Sequence, residues 1–163
     1  KGKWLPVVVI NALLLVGYAI NPLTVNFIVT PLGIVPYLWM HIAAFIVLLS
    51  PLGRNAGKWV KSSKTSTIIS GFVILAFVGT MMQHLMGNIL YETILGQLTG
   101  AIKPEAFAAT WNVVFYIYPL ERLALIIGAV VVGVPVTRAL QKFIFPPKTE
   151  RVAGTNTAQA ALQ

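Results

Sequence analysis

The chain has 163 residues, 57% of them hydrophobic and only 10% charged, with a mean hydropathy of +0.82. That excludes an ordinary water-soluble domain, whose surface needs more charge, and points to an integral membrane protein. The net charge of +8 would suggest nucleic acid in a soluble protein. Here the basic residues cluster between apolar runs, so topology accounts for them and no nucleic-acid partner is expected. There is no Cys, which excludes disulfides and thiolate metal sites.

Four apolar stretches follow in chain order, and the fold class they predict is all-α: a polytopic membrane bundle of four transmembrane helices over residues 1–145. The first covers about 5–21 and is adequate for a hydrocarbon core of about 30 Å. It is not followed by a small-residue cleavage site, so it does not read as a signal peptide. The connection "NPLTVNFIVTPLGIVP" (21–36) is apolar but holds three prolines. It is too broken to span and reads as a re-entrant or interfacial segment. The second helix is expected at about 34–52 and the third at about 67–92, with a continuation towards Leu95. "GQLTGAIKPEAFAAT" (96–110) is a loop in which Pro104 suits the first turn of a short helix. The fourth helix, about 111–140, contains Pro119 and Pro135, both kink candidates. The tail 146–163 is polar and small and is expected to be disordered.

Loop charge sets the orientation. Lys1 and Lys3 precede the first helix, Arg54, Lys58, Lys61 and Lys64 separate the second and third, and Arg138, Lys142, Lys148 and Arg151 end or follow the fourth. The other two connections carry only Lys103, offset by Glu105. The positive-inside rule therefore puts both termini in the cytoplasm of a multi-pass cell-membrane protein, with lipid as a partner. The basic loop 54–64 also offers contacts to anionic lipid.

Polar residues inside the apolar runs carry the functional information, because each is costly there. They are Asn11, His41, Gln83, His84, Asn88, Glu121 and Arg122. His84, Asn88, Tyr91 and Glu92 share one face of the third helix by spacing, and Gly79 and Gly87 nearby permit close approach of a neighbour. Trp111, Phe115, Tyr118 and Arg122 form one stripe on the fourth, with Tyr116 offset from it. Pro119 releases the carbonyl of Phe115 from its helical bond. Two readings stay open. In one, an outward pocket holds a small molecule, with Arg122 on a ligand carboxylate or Glu121 on a ligand amine. In the other, Glu121, Arg122 and His84 form a buried network that joins helices. No nucleophile–base pair is visible, so an enzyme is not expected, and neither a cofactor nor a metal is called for. His41 and His84 lack a local metal-binding motif.

"WNVVFYIYPLERLALIIGAVVVGVPVTRAL" (111–140) resembles the last helix of substrate-binding (S) components of energy-coupling-factor transporters. The helix with His84 and Asn88, and "VVVINALLLV" (7–16), are also similar. The family fold has six helices. The resemblance implies that this chain, which starts at Lys1 rather than Met, matches the third to sixth and lacks the first two. It further implies capture of a vitamin or other micronutrient from the outer side by His84, Asn88, Trp111, Tyr116, Glu121 and Arg122. Transport would then be driven by a transmembrane coupling subunit and ATPases. The rival expectation is an accessory subunit of a larger membrane enzyme complex, such as a respiratory or metal-dependent oxidase, packed against other membrane subunits.

Overall fold

The computed structural model describes residues 4–144. The tail expected to be disordered (146–163), and Lys1, Lys3, Lys148 and Arg151 of the charge pattern, lie outside the described residues.

Helix α1 runs from Trp4 to Ile20. Pro6 falls in its first turn, where the missing N–H is not needed. It ends at Asn21-Pro22, because a residue before proline avoids the helical region. The Asn21 side chain then accepts a bond from Leu23 N at 3.0 Å.

The proline-rich connection is not a re-entrant coil but an antiparallel hairpin, so the chain departs from the all-α expectation. Strand β1 (Phe27–Thr30) pairs with β2 (Gly33–Pro36), with Phe27 opposite Pro36 and Thr30 opposite Gly33. β-Branched runs on either side of Pro31-Leu32 favour extended backbone. Gly33 supplies the positive φ of 120° that follows the turn. The Thr30 hydroxyl donates to Gly33 O at 2.8 Å and accepts from Leu32 N at 3.2 Å. The ladder satisfies the backbone that an irregular segment would leave unpaired.

The predicted helix 34–52 is divided as a result. Its start belongs to β2, α2 occupies Trp39–Leu49, and α3 occupies Pro51–Trp59. Ser50 is extended ahead of Pro51, and its Oγ accepts from Leu52 N at 3.2 Å, which ends one helix and caps the next. α3 carries Arg54 and Lys58, which the sequence pattern assigns to a loop. The Arg54 guanidinium lies 4.4 Å over the Trp4 ring, and the Trp4 indole donates to Leu48 O at 2.9 Å.

Helix α4 (Thr65–Tyr91) continues through π-helical turns from Glu92 to Leu98. Gly100, at φ 61°, ends that run. Helix α5 (Pro104–Ile144) merges the expected short helix with the expected fourth helix and passes unbroken through Pro119 and Pro135. Residues 65–98 and 104–141 are each long and apolar enough to cross a membrane, with mean hydropathies of 1.8 and 2.2. α1 and α2 are shorter apolar helices. The described chain is thus a mostly helical bundle of two long and two short apolar helices plus the hairpin and α3.

α4 is the central element and packs against α1, α2, α3 and α5. Gly71 is buried and lets α3 approach α4 closely: a Cβ there would stand 2.9 Å from Val60 N and 3.0 Å from Ala56 O. Those neighbours are backbone and cannot swing aside. Gly71→Ala is expected to lower stability by about 1–2 kcal/mol through overpacking. Gly79→Ala, with nothing within 4 Å of its added Cβ, should leave the melting temperature unchanged or higher. Thermal melts of the two variants side by side test this.

Candidate functional site

Phe107, Trp111, Phe115, Tyr118 and Arg122 form a single buried stripe along α5. Their spacing of four, four, three and four keeps them on one face. Facing them on α4 are Met81, Leu85, Asn88 and Glu92, also buried, with His84 half-buried among them. Tyr37, fully buried in the turn between β2 and α2, fills the space between these faces. Its ring centroid lies 5.9 Å from Tyr18 and Trp111, 6.0 Å from Tyr118, 6.3 Å from Phe115 and 6.4 Å from His41.

Two polar groups are set in this aromatic frame. The first centres on Arg122, which is 3% exposed. Its Nη1 donates to Thr80 O at 3.1 Å and to Gln83 Oε1 at 3.0 Å, and its Nη2 pairs with Glu121 Oε1 at 2.8 Å. The expectation of a buried Glu121–Arg122–His84 network needs correction. Glu121 is 53% exposed, because it lies about 100° around the helix from its neighbour and reaches back over the rim. Arg122 engages Gln83 rather than His84. His84 pairs instead with His41, Nδ1 to Nε2 at 3.2 Å, with the rings 5.3 Å apart and 14° from parallel. Tyr118 stacks on both, at 5.1 Å from His84 and 5.9 Å from His41.

The second group centres on Glu92, which is fully buried at the first π-helical turn. Its Oε2 accepts from the Thr24 hydroxyl at 2.8 Å. Its Oε1, the Tyr18 hydroxyl and the Trp111 indole nitrogen are buried without hydrogen-bond partners. Asn88 Nδ2 donates to the Tyr37 hydroxyl at 3.4 Å, and the Tyr118 hydroxyl donates to Tyr37 O at 3.4 Å.

The six candidates from the sequence therefore separate. His84 and Arg122 belong to the first group, Asn88 and Trp111 to the second, and Tyr37 and Tyr118 link them. Glu121 stands at the rim. Tyr116 is 53% exposed and lines an outer cleft of about 440 Å³ with Thr30, Leu32, Trp39, Phe115 and Pro119. The expected cavity bounded by loop 96–110 is not what the geometry gives there, since Gly96 is packed against Leu23 and Phe107. The cleft lies under the hairpin instead. His41 carries the signal of a polar residue in an apolar run, and Glu92 shares the face of His84 by spacing. Tyr18, Thr24 and Tyr37 carry no signal of their own, because only the hairpin brings Thr24 and Tyr37 inward.

Two stability tests follow from the unequal burial. Arg122→Ala leaves Gln83 and a cavity behind and should cost about 2–4 kcal/mol. Glu121→Gln changes an exposed partner and should cost less than about 1 kcal/mol. Equal losses in thermal unfolding would contradict this asymmetry. Glu92→Gln removes a buried charge while keeping the acceptor for Thr24, and should match or exceed the wild-type melting temperature.

Compared with known proteins, the chain matches no family model, no curated protein and no solved structure.

Proposed function

We propose that the chain spans a membrane and serves as the solute-binding subunit of a micronutrient or vitamin uptake transporter, taking a small molecule from the outer side. The observation that supports this reading is an inverted distribution of polarity. Asn11, His41, Asn88, Glu92 and Arg122 are buried, whereas Leu13, Val16, Leu120, Leu123, Val131 and Val132 are all more than half exposed. Water would reward the opposite arrangement, whereas lipid favours this one. Arg54, Lys58, Lys61 and Lys64 sit between α2 and α4, and Arg138 lies at the same end, where it donates to Thr65 Oγ1. The loop-charge rule makes that end cytoplasmic and the hairpin end external.

On this reading the cleft beneath the hairpin, walled by Trp39, Phe115 and Tyr116, is the entry for a flat or apolar ligand. Behind it, Tyr118, His84 and Arg122 supply stacking surfaces and hydrogen bonds. Similarity of the last helix to the S components of energy-coupling-factor transporters supports a coupling subunit and ATPases as partners. The chain itself would then catalyse nothing. A second reading, an accessory subunit of a larger membrane enzyme complex, is favoured by one observation: the polar centre is filled by the protein's own side chains.

Native purification followed by mass spectrometry of small molecules and protein partners separates the two. Uptake predicts a bound metabolite that raises the melting temperature when added back. Tyr116→Ala should weaken its retention about tenfold without changing the ligand-free melting temperature. An accessory role predicts stoichiometric membrane partners and no ligand-dependent stabilisation.

A further inference from the structure

His41 has a second nitrogen that the imidazole pair does not use. Its Nδ1 is buried without a hydrogen-bond partner, on a residue only 3% exposed. His41 lines an enclosed void of about 10 Å³ together with Asn11, Met81, Met82, Leu15 and Leu85. That is the room of about one water molecule. Met81 is 2% exposed, and the sulfur of Met82 already accepts a contact from Asn11 Nδ2 at 3.2 Å. Asn11 is held in place by a second bond, to Val7 O at 2.9 Å.

We propose that His41, Met81 and Met82, with Asn11 at the edge, form a buried site for one soft monovalent metal ion, Cu(I). Thioether and imidazole donors select Cu(I) among biological metals, and three of them suit its low coordination number. The second shell fits as well. A metal-ligating histidine usually donates its other N–H to a partner, and His84 Nδ1 stands 3.2 Å from His41 Nε2 to accept it. With the proton there, the lone pair of His41 Nδ1 faces the void. The charge balance favours a monovalent ion. The void has no carboxylate among its lining residues, and the nearby Arg122 is paired with Glu121. A divalent ion would bring twice the charge into a neutral, enclosed donor set. The site joins α1, α2 and α4 and does not rest on the uptake reading.

The test uses the purified full chain in detergent under reducing conditions, titrated with Cu(I) against a chromogenic chelator and with Ag(I) as a redox-inert probe. The expected result is one ion per chain, with both sulfur and nitrogen neighbours in X-ray absorption. Met81→Leu with Met82→Leu keeps volume and should abolish binding while the ion-free melting temperature stays unchanged. His84→Gln should weaken binding by about 10–100-fold. Three outcomes would overturn the site: no uptake of either ion by the wild-type chain, a spectrum without sulfur neighbours, or equal affinity in the double variant. The void would then hold only water. If the double variant fails to fold, the wild-type absorption spectrum alone decides.

Discussion

Tyr37 is the contact on which the arrangement depends. Its ring meets α1 through Tyr18, α2 through His41 and α5 through Trp111, Phe115 and Tyr118, while its hydroxyl accepts from Asn88 of α4. Apolar helices surrounded by apolar surroundings gain little from hydrophobic association, so specific ring contacts and buried hydrogen bonds must set their relative positions. Tyr37 can fill this place because Tyr37 N donates to Asn26 O at 2.9 Å, closing the hairpin and turning the chain inward. The hairpin is therefore more than a connection between two helices. It delivers the central ring of the core.

The sequence made the long helices legible because nothing in them competes with helix. The stripe through Trp111, Phe115, Tyr118 and Arg122 was readable from spacing, and so was the face through His84, Asn88 and Glu92. The hairpin was obscured by its prolines, which suggest a broken segment, although the β-branched runs around Pro31-Leu32 also fit strands. The division of the second helix follows from Ser50-Pro51, a local signal overridden by a long apolar run. The pairing of His41 with His84 was not legible at all. It depends on where α2 lands against α4, which no spacing within either helix specifies. Glu121 was misjudged for a related reason: adjacent helical positions point about 100° apart, so neighbours in sequence seldom share burial.

Polar residues in the interior are costly, and their partners are unevenly supplied. Arg122 has bonds to Thr80, Gln83 and Glu121, but its Nε has no partner, and Glu92 is satisfied at one oxygen only. Unpaired groups of this kind cost more than a well-packed apolar substitute would. Their concentration around the Tyr37 rings, with an almost wholly apolar exterior, is better explained by binding than by stability alone.

The π-helical turns from Glu92 to Leu98 have a consequence for how the molecule tolerates change. Each turn holds more residues than an α-helical one, so the segment contains surplus chain. That surplus sets the phase of everything beyond Tyr91: it turns the Glu92 carboxylate inward and lets Gln97 donate to Asn21 at 2.9 Å. A length change of one residue here would be absorbed within α4 and its extension as a rotation of the outer end, leaving α5 and the basic end in register. The same change within residues 107–122 would turn half of the buried stripe towards the outside. Variation in length is therefore cheap in one long helix and prohibitive in the other.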